Sequence, residues 1–334
     1  MEKLLNPSKT RYGVTVFGSL LLLLSLLLAN AVSAQTTWPN KPIKMLLGYP
    51  PGGGSDIVAR LIAKNLGDRL GHNVIVENHP GAGGIIAADL AAKSTPDGYT
   101  LFFVPSGHAS IAALKRKNSP YDAVNDFTWI STVTTYPLAL TVAPDSPFKT
   151  LDEFLSAAKK EPGKYTYSSV GVGTAMHIMA EWIFSEAKVD VVHVPFKGGT
   201  QPFQELLAGR VDLMIDTMTL TANLLKDKRV RLLAVTSPKG MSPIAGASTV
   251  ADSLPGVQFE SWLGVAAPAN LSSDITNRLN KEILAVVNQA DVRQRLIDFG
   301  GKPQTSTSVE FKNRVQKDID SLSKVVDARG ITAN

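Results

Sequence analysis

The chain has 334 residues, of which 44% are hydrophobic and 19% are charged, and these proportions exclude a disordered polypeptide. It contains no cysteine, which excludes disulfides and thiolate metal sites. The formal net charge is +5, but no basic run is interleaved with aromatic residues, so we expect no nucleic-acid partner.

The first 34 residues have the pattern of a secretory signal peptide. Lys3, Lys9 and Arg11 form a basic start, residues 12–28 are uncharged and leucine-rich, and a small-x-small run ends at Ala34. An uncleaved membrane anchor is the alternative, because the apolar run is long. We predict cleavage after Ala34 and a soluble periplasmic protein, since the cleavage site lacks a lipobox cysteine and no later segment is apolar for long enough to span a bilayer.

A strand, a glycine-rich turn and a helix come next. Residues 43–48 are short and largely apolar, as in a buried strand, and apolar residues recur at helical spacing from Ile57 until Gly71. The intervening glycines let the backbone approach a ligand, and the helix start offers unpaired N–H groups and the positive end of its dipole. We therefore predict an anion site, with a plain tight turn as the alternative, at Tyr49, Gly52, Gly53, Gly54, Ser55 and Asp56.

This turn does not match a nucleotide-binding loop. Ser55-Asp56 stands where a Walker loop needs Lys-Ser or Lys-Thr, and the glycine spacing of a dinucleotide-binding turn is absent. The Asp56 carboxylate would repel an anion, so we assign it chiefly to the first turn of the helix, where it interacts with the dipole. Arg60, one turn later, is interpreted as a surface or Asp-paired residue.

Strand-like and helix-like segments alternate along the rest of the chain, which indicates an α/β protein with largely parallel sheets. The predicted strands are 43–48, 73–78, 100–104, two runs within 129–142 broken near Pro137, 165–170, 189–194, 211–215, 231–236 and 262–268. Helices are predicted within 57–70, 85–92, 150–161, 176–183, 203–207, 274–288 and 309–328, and Thr150 and Thr307 open capping boxes with Glu153 and Glu310.

Ligands of such sheets lie beyond the carboxyl ends of the strands, and five strand ends carry glycine or small polar residues. Besides residues 49–56 these ends are 105–108, 171–174, 196–200 and 216–217. Two glycine loops that both lead into helices, far apart in sequence, suggest two lobes facing one cleft. The further candidate ligand-binding residues are Ser106, His108, Gly171, Gly173, Thr174, His177, Lys197, Gly198 and Asp216.

Each candidate has a plainer interpretation beside the functional one. Gly171 and Gly173 would donate backbone N–H groups, and Thr174 its hydroxyl as well. Asp216 could select a ligand hydroxyl, ammonium or water, or could cap the next helix. His108 and His177 could equally serve packing or a structural hydrogen bond. Met176, which has the spacing of a core residue, is assigned no function.

Six motifs in order resemble the receptors of tripartite tricarboxylate transporters, the Bug-type periplasmic solute-binding proteins. The resemblance covers essentially the whole mature chain, from about Trp38 to the last helix. The motifs are Pro-Pro-Gly-Gly-Gly-Ser-Asp (50–56), Val-Glu-Asn-His-Pro-Gly-Ala-Gly-Gly (76–84), Pro-Asp-Gly-Tyr-Thr-Leu (96–101), Gly-Val-Gly-Thr-Ala-Met-His (171–177), His-Val-Pro-Phe-Lys-Gly-Gly (193–199) and Leu-Ala-Val-Thr-Ser (233–237). Two positions depart from the family pattern: His79 replaces the usual Arg, and His108 a frequent Thr.

The resemblance implies a two-lobed, type II periplasmic-binding-protein fold of the Venus-flytrap kind. Its two crossover strands map to about 138–142 and 262–267. One lobe would comprise residues 35–137 plus 266–334 and the other 138–265. The implied ligand is a di- or tricarboxylate, an acidic amino acid or an aromatic acid, held through backbone amides and ordered water.

The resemblance thus implies a binding protein that delivers a carboxylate to inner-membrane permease subunits. We expect a monomer with no enzymatic activity, no cofactor and no metal. One alternative is a receptor that senses the acid for a two-component kinase. A less favoured one is a hydrolase that uses Ser106 and His108, although the Gly-x-Ser-x-Gly pattern is absent around Ser106.

Overall fold

The computed structural model describes residues 38–114, 119–197, 200–242 and 244–331. The predicted signal peptide with its cleavage site, and the predicted ligand residue Gly198, lie outside these described residues. The helices and strands of the fold lie in the compact unit that begins at Lys41. Across the described part of the chain, the helices are all too short or too polar to traverse a lipid bilayer.

The described residues form ten strands, eleven α-helices and a short 3-10 helix at Ala82–Gly84. The strands are β1 (Ile43–Leu47), β2 (Val74–Asn78), β3 (Thr100–Pro105), β4 (Phe127–Val142), β5 (Thr166–Ser169), β6 (Val192–Pro195), β7 (Leu213–Thr217), β8 (Arg231–Val235), β9 (Glu260–Pro268) and β10 (Lys302–Pro303). The helices are α1 (Gly54–Leu70), α2 (Ile85–Ala92), α3 (Gly107–Ala113), α4 (Leu151–Lys160), α5 (Ala175–Ala187), α6 (Gln201–Leu207), α7 (Met218–Lys226), α8 (Val250–Ser253), α9 (Ser273–Val287), α10 (Ala290–Asp298) and α11 (Ser308–Arg329).

The strands form one mixed sheet in the order β2-β1-β3-β9-β4-β7-β5-β6, with β8 and β10 also paired to β4. At one end β1 runs parallel to β2 and β3, and at the other β5 runs parallel to β6 and β7. Strands β4 and β9 run antiparallel to their neighbours in the middle. The two parallel groups therefore place their carboxyl ends, and the helices that follow them, on either side of a central antiparallel pair.

Strand β4 joins the two halves of this sheet. Its residues 127–137 pair with β9, whereas Leu138 onward pairs with β7 and β8. The predicted break near Pro137 is wrong, because one strand of 16 residues runs through it. Pro137 lies where β4 exchanges one set of partners for the other, so its missing N–H falls at a junction between ladders. The predicted lobe boundaries themselves stay a prediction.

Two helix starts were predicted correctly from their capping boxes. Both predicted capping boxes are confirmed, at Thr150 and at Thr307. Helices α3, α7 and α10, and the short α8, were not predicted. Helix α7 follows β7 without any intervening loop, so no turn residues mark its start.

Among the apolar clusters of the described residues, two large ones pack helices against the sheet. One lies around Trp129, Trp262 and Phe311, where the indole rings meet the phenyl ring edge-on. The other lies on the β5 and β7 side, around Phe154 and Tyr167. Burying each such aromatic side chain contributes about 1.5–3 kcal/mol, so the sheet is fixed on both sides of β4.

Candidate ligand-binding site

A cavity of about 40 Å³ lies where the carboxyl ends of β1, β3, β5 and β7 come together. Each of these strands leads into a helix, respectively α1, α3, α5 and α7, so helix starts surround the cavity. Six predicted ligand residues line it: Tyr49, Gly53, Gly54, Ser55, Ser106 and Asp216. The other lining residues are Pro105, Gly107, Tyr136, Val170, Ala175, Met176, Thr217 and Ser261.

Helix α1 begins at this cavity without a side-chain cap. Gly53 occupies the N-cap position with extended backbone angles, and Gly54 and Ser55 are the first two helical residues. The first N–H groups of a helix have no partner within it, and they carry the positive end of the helix dipole. The start of α1 therefore lies at the cavity, and donation of its amides to a ligand stays a prediction.

Asp56 stabilises the glycine-rich turn before α1 through hydrogen bonds and does not line the cavity. Its carboxylate accepts hydrogen bonds from Gly52 N–H at 3.0 Å, Arg60 Nε at 2.9 Å and Asn78 Nδ2 at 2.8 Å. These bonds, with the Arg60 charge, hold the pKa of Asp56 below its usual value against the opposing effect of burial. The predicted pairing of Arg60 with an aspartate is confirmed. The Gly52 amide, predicted as a ligand donor, already has a partner.

Helix α5 presents a second start to the same cavity, through Ala175 and Met176. The N-cap Thr174 donates its hydroxyl to the Gly171 carbonyl at 2.7 Å, while its oxygen accepts the His177 N–H. Thr174 therefore serves the loop and is not among the lining residues. Ala175 and Met176 line the cavity, whereas the predicted donors Gly171, Gly173 and Thr174 lie one to five residues earlier in the chain. Met176 therefore lines the cavity in addition to packing in the core.

Two stacked histidines lie beside this loop. The rings of His177 and His193 have centroids 4.3 Å apart and are tilted by 16°. His177 Nδ1 accepts the Gly173 N–H at 3.1 Å, and Ser169 Oγ, 2.7 Å from His193 Nε2, accepts the Gly171 N–H at 3.1 Å. The predicted donors Gly171 and Gly173 are thus engaged within the protein. Burial lowers the pKa of His177, and with the neighbouring His177 it lowers that of His193 to about 3.

Hydroxyl groups also line the cavity. Ser106 Oγ and Ser261 Oγ are 2.6 Å apart. The hydroxyl of Tyr49 donates to the Gly83 carbonyl at 3.3 Å and lies so close to Gly107 that a Cβ there would be 2.7 Å away. Burial raises the pKa of the phenols of Tyr49 and Tyr136, so both are neutral hydrogen-bonding groups at physiological pH.

Asp216 is the one acidic side chain among the lining residues that the structure describes. It lies at the end of β7, is 5% exposed, and its Oδ1 accepts the Thr217 N–H at 2.5 Å. Burial raises its pKa to about 7, although the hydrogen bond to Thr217 opposes this shift. The buried Thr217 hydroxyl lies beside this carboxyl group.

The described lining contains no Lys, Arg or His. His108 lies behind the wall, in a cluster of aromatic rings that includes Tyr121 and Phe127, and its Nε2 is 2.8 Å from the Ala123 carbonyl oxygen. Burial lowers its pKa to about 4. Lys197 is exposed and does not line the cavity. In the described ranges no group of three or more potential ligand side chains is arranged to hold a metal ion.

Tyr136 and Ser261 are two of the lining residues that sequence reasoning missed. They face each other directly across the β4–β9 ladder, although they are far apart in the chain. Tyr136 also hydrogen-bonds the Ser261 side chain. In the sequence, Tyr136 is marked only by its position next to the predicted break at Pro137. A single sequence does not show which strand pairs with which, so it could not place Tyr136 opposite Ser261.

Helix starts and neutral hydroxyls around a small cavity, at the carboxyl ends of two groups of parallel strands, define an α/β solute-binding protein. The match of residues 58–331 to the Tripartite tricarboxylate transporter family receptor model shows that the chain belongs to that family. A curated relative from Pseudomonas sp. strain P51, the UPF0065 protein in the tcbD-tcbE intergenic region, is 32% identical over 299 residues, covering 89% of either chain.

Solved structures agree with this assignment. The periplasmic binding protein BugD superposes with a TM-score of 0.83 at 27% identity, covering 88% of this chain and 99% of its own. A Rhodopseudomonas palustris protein with adipate gives 0.84 at 29% identity, covering 88% and 99%. MatC of that organism, with bound malate, gives 0.81 at 29% identity, covering 86% and 100%. The predicted two-lobed periplasmic-binding-protein fold is confirmed.

Proposed function

We propose that this protein is a periplasmic receptor that captures a small organic acid and delivers it to inner-membrane permease subunits of a tripartite tricarboxylate-type transporter. The observation that carries the proposal is the pair of helix starts, α1 and α5, that open onto one cavity. Unpaired amides at helix N-termini bind carboxylates and phosphates. The adipate and malate bound by two structural relatives favour a carboxylate.

The cavity also indicates how capture proceeds. Its volume of about 40 Å³ leaves room for only a few water molecules. A four- to six-carbon acid is larger, so the helices around the cavity must move apart to admit it. Relative movement of the two lobes supplies this opening, with the helix-start amides closing on the carboxylate afterwards.

The contacts argue against the hydrolase alternative. Ser106 Oγ is 2.6 Å from Ser261 Oγ, and His108 Nε2 is 2.8 Å from the Ala123 carbonyl. A serine nucleophile needs a histidine within hydrogen-bond reach. Burial also lowers the histidine pKa to about 4, which makes it a poor base at neutral pH. We therefore assign the site to binding without catalysis.

Isothermal titration of the mature chain tests the proposal directly. Malate, adipate and aspartate are titrated at pH 7, with the diamide of malic acid as an uncharged control of the same shape. We expect at least one acid to bind and the diamide to bind at least tenfold more weakly, because it lacks a carboxylate. If the folded protein binds none of a broad panel of organic acids, the proposal is wrong.

A proline substitution tests the role of the α5 amides. Ala175 is the first residue of this helix and follows an extended residue, so proline fits there and removes only the N–H. A hydrogen bond to a charged group contributes about 1.5–3 kcal/mol. We expect Ala175→Pro to weaken binding about 10- to 150-fold without lowering the unfolding temperature. Ala175→Gly, which keeps the N–H, is the matched control and should lose much less.

Location and partners can be tested separately. Cleavage after Ala34 predicts that the protein in a periplasmic extract begins at Gln35, as intact-mass measurement would reveal. Light scattering should report a monomer. Cross-linking in whole cells should capture an integral membrane permease subunit in the presence of the acid. Capture of a histidine kinase instead would assign the protein to acid sensing.

A further inference from the structure

The buried carboxyl group of Asp216 presents a problem for an anion-binding cavity. It is 5% exposed, it lines the cavity, and one of its oxygens accepts the Thr217 N–H. No Lys, Arg or His is present among the lining residues to neutralise it. An organic dianion would therefore be brought next to a second negative charge in a water-poor site, where repulsion is strong.

The neighbouring ionisable groups do not remove this charge. Tyr49, after β1, and Tyr136, on β4, are the titratable side chains that share the cavity with Asp216. Both phenols are kept neutral by burial, and the charge of Asp216 raises their pKa further. The described residues that α1, α3, α5 and β9 contribute to the lining carry no ionisable side chain.

We propose that Asp216 takes up a proton when the acid binds and holds the bound anion as a neutral carboxyl that donates its O–H. This inference rests on the proposed function and adds to it a preference for fully ionised acids without an ammonium group. An ammonium-bearing ligand would instead pair with ionised Asp216 and release a proton. The direction of proton exchange therefore distinguishes the two classes of ligand.

The size of the effect follows from the acidity of the free carboxyl. Its pKa near 7 means that the protonated fraction falls steeply just above neutrality. If only the protonated protein binds the anion, affinity for malate or adipate drops about 25-fold between pH 6.5 and pH 8.5. Carboxyl groups of the ligand are already ionised throughout this interval, so the ligand adds no comparable slope.

Titration calorimetry in buffers with different ionisation enthalpies counts the protons directly. With malate or adipate we expect uptake that approaches one proton per acid at pH 8.5, together with the 25-fold loss of affinity. Asp216→Asn, which keeps a donor and cannot ionise, should bind equally at pH 6.5 and pH 8.5 with no proton uptake. His177→Gln is the control, because that ring is outside the lining and should leave the slope unchanged.

The outcomes separate this inference from the proposed function. If no acid binds at any pH, the proposed function fails. If malate or adipate binds with equal affinity at both pH values, or with proton release, the Asp216 inference alone is overturned. The proton count on the unsubstituted protein needs no variant, so the test stands even if Asp216→Asn does not fold.

Discussion

Gly54 offers the sharpest test of the geometry at the start of α1. A Cβ added there would be 2.7 Å from Thr217 Oγ1 and 3.1 Å from Thr219 Cβ, and ordinary contacts begin near 3.4 Å. Gly54→Ala therefore forces the helix start and the end of β7 apart by several tenths of an ångström. Overpacking of this kind costs about 1–3 kcal/mol.

That cost should appear in binding rather than in folding. The two contacting elements come from the two halves of the sheet and meet beside the cavity, so the added methyl group opposes closure of the site. In the unliganded protein, alanine should instead favour the helix by up to about 1 kcal/mol. We expect the affinity for the bound acid to fall about 5- to 150-fold, while the unfolding temperature without ligand stays equal or rises.

Calorimetry and thermal unfolding of the same preparations measure the two effects. A double-mutant cycle with Thr217→Ala removes the Oγ1 atom and should restore part of the affinity, whereas Thr217→Ser keeps that atom and should not. Equal affinity of Gly54→Ala and the unsubstituted protein would refute the reasoning. So would a fall in unfolding free energy as large as the loss in binding.

Four further substitutions test individual contacts. Gly264→Ala would place a methyl group inside the Phe311 ring contact, and urea unfolding should show a loss of about 3 kcal/mol. Burial lowers the pKa of His108 to about 4 in the folded protein, against 6.5 in the unfolded chain. The stability that the neutral ring contributes is therefore fully present above pH 6.5, and about 3 kcal/mol of it is lost as the pH falls to 4. His108→Gln should flatten urea-derived stability over that interval, and an unchanged slope would contradict this. Asp56→Asn should lower the unfolding free energy by about 2 kcal/mol, and Arg60→Ala, which removes one exposed partner, by less than about 1 kcal/mol.

Sequence reasoning succeeded where the signal is local. The capping boxes at Thr150 and Thr307 close within three residues, so the pattern alone specifies the contact. The strand ends near the cavity were predictable for a similar reason, because glycine and small polar residues follow apolar runs directly. Gly53, Gly54 and Ser55 lie where this pattern placed them.

Predictions from the sequence were wrong where a nearby side chain, rather than a ligand, accepts a backbone N–H group. Gly52 and Gly173 were predicted to donate to a ligand, yet Asp56 and His177, each four residues further along, accept their N–H groups. Whether a side chain folds back on its own turn depends on its rotamer and its burial, which no residue pattern encodes. The same limit applies to pairings between distant strands, which decide what stands opposite Tyr136.

The charge arrangement assigns different tasks to backbone and side chains. Amides at the starts of α1 and α5 are fixed by the helices, and any carboxylate of suitable size satisfies them equally. They supply affinity for an acid and cannot distinguish one acid from another. On the proposed function, selection must therefore reside in the lining side chains, which include Tyr136, Met176, Asp216 and Ser261. Replacing these four should change which acid is bound, whereas replacing surface lysines such as Lys197 should not, because no described lysine reaches the cavity.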